Sequence, residues 1–186
     1  MGRMAKRFRP SLTKGTNMIG SFNFAFAKVI DVEKGLSLDP QDDGNWTGGK
    51  NGVGELRGTK YGISAKAYPH LDIAKLTLDQ AKETYRVDYW NLVHGDKLPD
   101  PLSHFVFDAA VNQGVSAAIF MLQTALKVKV DGKIGPKTIA AAQSSDNETC
   151  ANFMMLRAFR YMSTINFGRY GPGWFNRLFL FAMGSR

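Results

Sequence analysis

A chain of 186 residues with 44% hydrophobic and 22% charged side chains is long enough for a sizeable core, which excludes wholesale disorder. Its 19 Gly and 7 Pro follow no fixed period, which excludes a fibrous repeat, and a single cysteine, Cys150, excludes an internal disulfide framework. The net charge of +8 sits at the ends: Arg3, Lys6, Arg7, Arg9 and Lys14 in residues 1–17, and Arg157, Arg160, Arg169, Arg177 and Arg186 in residues 151–186, neither stretch holding an acid. Residues 18–150 carry 14 basic and 16 acidic side chains. Such ends favour anionic partners (nucleic acid, acidic lipid or lipopolysaccharide, anionic cell wall), with a plain solvated surface as the alternative.

After the basic leader, the helical spacing of Phe22, Phe26, Val29 and Ile30 predicts a first helix over 18–34, ending at Gly35. The apolar run 18–30 is shorter than the ~20 residues a bilayer span needs, and Lys28 interrupts it. The residues after it, 31-DVEK-34, offer no small-residue cleavage site, so neither a transmembrane segment nor a signal peptide is expected and the chain reads as kept in the cytoplasm until released. Residues 36–60, rich in Gly, Asp and Asn, read as loop or short hairpin, with 61-YGIS-64 closing them as a strand edge. Thr77 and Gln80 form a capping box that opens a helix through Trp90. Pro101 begins another, with Leu102, Phe105, Val106, Ala109 and Ala110 on its apolar face and Gly114 as its stop. Ser116 is a candidate cap for a helix over 117–126. An Asp131-Gly132 turn leads to Gly135-Pro136 and a helix over 136–143, and two aromatic, basic helices follow over 149–165 and 173–183. The expectation is a mainly α fold (α+β in type) of about seven helices, with one β excursion at roughly 36–64. No linker is visible, so two lobes at most share the core.

Glu33 is the most informative position. It continues the stripe of Phe22, Phe26 and Val29, and it falls in the last turn, at the negative end of the helix dipole. Partial burial and that dipole both disfavour the charged carboxylate, which keeps a proton available for general-acid work. The alternative is a surface Glu that frays with the helix end. Asp39, Asp42 and Asp43 follow in 38-LDPQDDGNW-46, where a second carboxylate facing a protonated one is the pairing that glycoside hydrolysis uses. A solvated acidic turn is the commoner reading of such a loop. Calcium is set aside, because Gln41 occupies a ligand position and no Glu closes the loop. His70, His94 and His104 form no H-E-x-x-H, one Cys completes no zinc set, and no G-x-S-x-G, P-loop or strand-borne G-x-G-x-x-G occurs. No metal or cofactor is expected.

The blocks 33-EKGLSLDPQDDG-44, 59-TKYGIS-64, 85-YRVDYW-90, 106-VFDAAVNQG-114, 122-LQTALKVKVDGKIGPKTIAAA-142 and 171-GPGWFNRL-178 occur in an order that resembles the glycoside hydrolase family 108 lysozymes, which are phage endolysins and bacterial N-acetylmuramidases. The resemblance covers about residues 20–180. It implies that Glu33 is the catalytic acid, in a block that here reads Glu-Lys-Gly where the family has Glu-Gly-Gly. It carries the family's D-P-x-D stretch onto Asp39, Pro40 and Asp42, and its T-x-Y-G-I block onto Thr59, Tyr61, Gly62 and Ile63. The intervening 45-NWTGGKNGVGELRG-58 is longer than the family's usual connection, so it extends or covers the sugar cleft. Residues 122–142 resemble the family's peptidoglycan-binding half, in which the Asp131–Pro136 turn is taken as structural.

The resemblance implies a peptidoglycan hydrolase that cuts the β-1,4 bond between N-acetylmuramic acid and N-acetylglucosamine. Glu33 donates the proton, and Thr59 with Asp42 orients water or steadies positive charge on the sugar. Asp39, Tyr61, Gly62, Asn112 and Gln113 are candidate substrate contacts, the last two otherwise reading as C-capping groups. Trp90 and Trp174 read as core in preference to sugar platforms. The expected units are a basic extension (1–17), a catalytic lobe (18–115) and a helical peptidoglycan-binding lobe (116–186), in a monomer that takes no nucleic acid and is released through a holin. The aromatic, basic tail is a candidate for lipopolysaccharide contact, against core packing with Arg on its outer face. A lytic transglycosylase and a non-catalytic wall-binding protein are the rival functions.

Overall fold

Four apolar side chains at helical spacing start the core. Helix α1 (Phe22–Val32) buries Phe22, Ala25, Phe26 and Val29 along one stripe, and the Ser21 hydroxyl caps it by accepting from the Phe24 N–H at 3.4 Å. The computed structural model describes residues 21–32 and 35–184, so residues 18–20, 33 and 34 of the expected helix lie outside the described residues. These described residues form seven α-helices and one three-stranded antiparallel sheet, the mainly α arrangement with a small β part that the sequence predicts.

The sheet is built from β1 (Leu36–Ser37), β2 (Thr59–Lys60) and β3 (Ile63–Ser64), with Ser37 opposite Thr59 and Lys60 opposite Ile63. Tyr61 and Gly62 do not continue a strand as expected. Both have positive φ (52° and 73°) and make the tight two-residue turn between β2 and β3, a conformation matched to the twist of the flanking strands. Gly58 enters β2 against β1 so closely that a Cβ there would collide with the Ser37 carbonyl oxygen. Residues 45–58 form an irregular hairpin: Trp46 bridges to Leu56, and the Thr47 N–H donates to the Glu55 carbonyl at 3.0 Å.

The Thr77–Gln80 capping box is complete and opens α2 (Leu78–Tyr85). The expected run to Trp90 is not regular, however, because residues 86–90 widen into one π-turn. On an α-helix Tyr85 and Trp90 would point well apart; the wider turn lets both enter the same core, where each is buried. The Trp90 indole N–H donates to Asp96 at 2.9 Å, which satisfies its polar edge.

Helix α3 (Leu102–Gln113) is the central wall. It buries nine consecutive residues, sending Phe107 into the core beneath α1 and the sheet, and Phe105, Val106 and Ala109 into a second core formed with the later helices. Helix α4 (Val115–Ala125) follows directly. Gly114, at φ 92°, occupies its N-cap position and Ser116 lies inside its first turn, so the cap expected at Ser116 is not made. Pro136 opens α5 (Pro136–Gln143), and Asp146 caps α6 (Asn147–Met162) by accepting from the Thr149 N–H at 2.9 Å. Helix α7 (Phe167–Gly184) starts earlier than expected, with the exposed Pro172 in its interior.

The outer-face reading of the tail arginines holds for Arg160 and Arg169 and fails for Arg157 and Arg177. Both of the latter are buried against the fully buried Asp108 of α3, at 2.6 Å and 2.8 Å. A basic residue can enter a core when a carboxylate already waits there. No described helix is long and apolar enough to cross a membrane.

Candidate active site

The site predicted from the sequence centres on the gap between α1 and β1, and Glu33, its proposed acid, lies outside the described residues. What the described chain supplies is the frame on either side. Ile30 in the last turn of α1, Tyr61 in the β2–β3 turn and Val111 near the end of α3 all pack against the same core, the one beneath α1. The last turn of α1, the sheet and the end of α3 therefore belong to one neighbourhood.

Within it, Thr59 is held from below by Asn45. The Thr59 hydroxyl donates to the Asn45 Oδ1 at 2.7 Å, leaving its oxygen free to accept. Asn45 is completely buried and fully engaged. Its Nδ2 donates to the Asp39 carbonyl at 2.9 Å and to the Ser37 hydroxyl at 3.4 Å, and its own carbonyl accepts from the Arg57 and Gly58 N–H groups at 3.0 Å each. One amide thus ties β1, the acidic loop and the entry to β2 together. A threonine whose proton is committed inward presents a fixed acceptor outward, which suits orienting a water O–H.

The three aspartates are turn builders on the exposed side of this frame. Asp39 accepts from the Gln41 N–H at 2.9 Å, Asp42 from the Gly44 N–H at 2.8 Å and Asp43 from the Asn51 N–H at 2.8 Å. Asp39 and Asp42 each use Oδ1 in a local turn, and Asp43 uses its Oδ1 to span the loop to Asn51. The Tyr61 carbonyl accepts from the Tyr85 hydroxyl at 3.0 Å, which anchors the turn to α2, while Gly62 is exposed.

Asn112 and Gln113, at the end of α3, share neither a hydrogen bond nor a cavity with Thr59, and neither side chain caps that helix. Asn112 Oδ1 accepts from the Tyr161 hydroxyl at 2.5 Å; Gln113 Oε1 accepts from Arg157 Nε, and its Nε2 donates to the Arg157 carbonyl, each at 3.1 Å. Together with Arg160, Thr164 and Trp174 they line a cavity of about 210 Å³. Burial pushes the Tyr161 hydroxyl above its ordinary pKa, the nearby Arg157 opposing, so it remains a donor to Asn112. Trp174 stacks on Tyr161 with centroids 5.1 Å apart, whereas Trp90 is wholly core.

Residues 26–114 match the family model described as "Glycosyl hydrolase 108", and residues 117–179 match one described as "Predicted Peptidoglycan domain". Residues 26–114 are a glycosyl hydrolase 108 domain. A solved structure, that of Brucella abortus SagA, is similar to it at 28% identity and a TM-score of 0.74, covering 88% of this chain and 92% of that one. No curated protein matches the chain. A glycoside hydrolase domain joined to a peptidoglycan domain makes this chain a hydrolase directed at peptidoglycan.

Two residues of this chain escape a sequence reading, and a third was overlooked. Asn45 and Gln123 are uncharged amides to which the blocks around them give no role, and only burial and hydrogen bonding reveal them as hubs. Gln123 holds the Asp131-Gly132 turn by donating to Asp131 Oδ1 at 2.9 Å and accepting from the Gly132 N–H at 2.9 Å. That bond, and the Lys133 N–H, keep the Asp131 carboxyl below its ordinary pKa. Asp108 offered a signal: an acid in the apolar run 105-FVFDAAV-111 needs a buried cation, and the basic tail supplies two. His104 is buried beside Asp100 (3.1 Å) and under the Phe24 ring (4.9 Å), and burial lowers its pKa despite that carboxylate. No cluster of three metal-ligating side chains occurs among the described residues.

Proposed function

We propose that this chain hydrolyses the β-1,4 bond between N-acetylmuramic acid and N-acetylglucosamine, with Glu33 as the general acid. The observation that carries the reading is Thr59, whose hydroxyl proton is locked onto buried Asn45 within the family's hydrolase domain, directly across the ladder from β1. Glu33 protonates the leaving glycosidic oxygen; a water that donates one proton to Thr59 keeps a lone pair directed at the anomeric carbon. Asp42, with its second carboxylate oxygen outside the turn, steadies positive charge on the ring or takes the proton from that water. Asp39, Tyr61 and Gly62 shape the wall, and Asn112 and Gln113 contact the glycan or its peptide farther along. Residues 18–115 act as the catalytic lobe and 116–186 as the wall-binding lobe, with residues 1–17 as a basic extension.

The biological setting that fits is an endolysin: a monomer held in the host cytoplasm, released through a holin and lytic toward the cell wall. Exposed Arg160 and Arg169, among exposed Phe159, Ile165 and Phe179, make lipopolysaccharide a second contact at the C-terminal end.

The test is Glu33→Gln, which keeps the size of the side chain and removes the acid. Digestion of purified peptidoglycan followed by mass spectrometry of the products should give saccharides with a reducing N-acetylmuramic acid end for the wild type and none for the variant. Turnover by the variant near the wild-type rate refutes Glu33. An anhydro-sugar product replaces hydrolysis with lytic transglycosylation, and wall binding without any product leaves a binding protein.

A further inference from the structure

A groove of about 640 Å³ is lined by none of the site residues assigned above. Its volume falls in the roughly 300–1,000 Å³ range of ligand sites. One wall is α2 with the π-turn after it, and the other is the segment 68–76 that follows the sheet. Leu71, Leu76 and Val87 make the lane between them apolar.

Two carboxylates stand along this lane without a basic partner among the described residues. Asp88 is half-buried and its Oδ2 accepts from the Tyr68 hydroxyl at 2.7 Å, a bond that fixes the carboxylate without neutralising it. Burial, and then the Asp88 bond, hold the Tyr68 phenol far above its ordinary pKa, so it donates at every physiological pH. Glu83 lies on the same α2 wall. The third acid, Asp72, is already paired with Lys75 at 3.1 Å, so that couple adds no net charge. Arg86, two residues before Asp88, is turned away: it pairs with Asp96 at 3.1 Å and lies over the Phe22 ring. His70, beside Tyr68, is exposed.

An apolar lane bordered by two uncompensated negative charges is complementary to an aliphatic stem bearing a positive end. We propose that this groove binds a primary ammonium carried on an aliphatic chain, the chemistry of the free diamino-acid side chain in uncrosslinked peptidoglycan stem peptides. The stem lies along Leu71, Leu76 and Val87, and the ammonium meets Asp88 and Glu83. The choice of stem peptides as the source rests on the peptidoglycan reading; the ammonium chemistry does not.

The test is a ¹H–¹⁵N titration of the full chain with Nα-acetyl-lysine amide, against two matched probes without the charge, Nα-acetyl-norleucine amide and Nα,Nε-diacetyl-lysine amide. The expected result is saturable shifts at the amides of Leu76, Thr84 and Val87 with the charged probe alone. Affinity should fall about tenfold in Asp88→Asn, which still accepts from Tyr68 and so keeps the groove wall, and should fall also in Glu83→Gln. Equal binding of the norleucine probe, shifts confined to other regions, no saturable shift at all, or unchanged affinity in both variants overturns the proposal. Because the readout needs no turnover, a chain that binds the charged probe yet cuts no glycan refutes the hydrolase reading and leaves the groove standing, and the reverse result does the opposite.

Discussion

Asp108 is a residue whose removal should cost the fold heavily. It is fully buried on α3 and accepts from Arg157 Nη2 of α6 at 2.6 Å and from Arg177 Nε of α7 at 2.9 Å. Asp108→Ala leaves two guanidinium groups in a dry interior with their common carboxylate gone. Losing one partner of a buried pair costs about 3–5 kcal/mol, and because two buried cations lose their shared carboxylate the upper part of that range applies. At roughly 2–4 °C per kcal/mol for a chain of this length, the melting midpoint should drop by about 10–15 °C. Differential scanning calorimetry at neutral pH reads this directly. Asp108→Asn separates charge from volume, since it keeps an acceptor of the same size; most of the drop should remain. Replacing all three members by apolar residues (Arg157→Met, Asp108→Leu and Arg177→Met together) should recover most of the lost stability, because no charge is then left buried. An Asp108→Ala midpoint within 2–3 °C of wild type, on the same scale of roughly 2–4 °C per kcal/mol, would mean that the two arginines reach other partners or solvent, and the reasoning would be wrong.

Two further perturbations bear on the site and on pH. Asn45→Ala frees the Thr59 hydroxyl, so turnover on purified peptidoglycan should fall at least roughly tenfold at a temperature where circular dichroism shows the chain folded; Thr59→Val should do the same, and the double variant should be no worse than either alone, since both remove one device. Additive losses would separate the two residues. For His104, burial lowers the folded-state pKa below the ordinary 6.5, so the unfolded chain binds the proton more readily and stability falls as pH drops below about 6.5 toward that lowered value. The midpoint should decline between pH 7 and 5, and His104→Phe, which keeps an aromatic ring against Phe24, should flatten that slope; an unchanged slope assigns it to other groups.

The helical part of the chain was legible because its signals are local. The Thr77–Gln80 box, the Gly114 stop and Pro136 at a helix start act within a few residues of themselves, and all three do what their chemistry dictates. The departures arise where a distant contact overrides the local preference. Trp90 needs the first core and Asp96, so the regular helix widens after Tyr85. Tyr61 looks like strand and is a turn because Tyr85 grips its carbonyl from α2. For the site, the residue types around residues 33–63 pointed to acid chemistry, but the support could not be read: Asn45 reaches Thr59 across 14 positions of Gly-rich chain, and no periodicity encodes such a bond.

The same contacts argue that the hydrolase and peptidoglycan segments fold as one unit. Helix α3 is matched by the hydrolase model, yet adjacent positions on it serve both cores, with Val106 in the second and Phe107 in the first. Phe181, two residues beyond the segment matched by the peptidoglycan model, is buried in the core beneath α1, and Lys28 of α1 lies over its ring at 5.8 Å. Asp108 in turn binds α6 and α7 to the helix whose far end carries Asn112 and Gln113. Loosening the tail therefore disturbs the core on which Ile30 and Tyr61 rest, so the frame around the proposed acid depends on a side chain contributed about 150 residues later, Phe181.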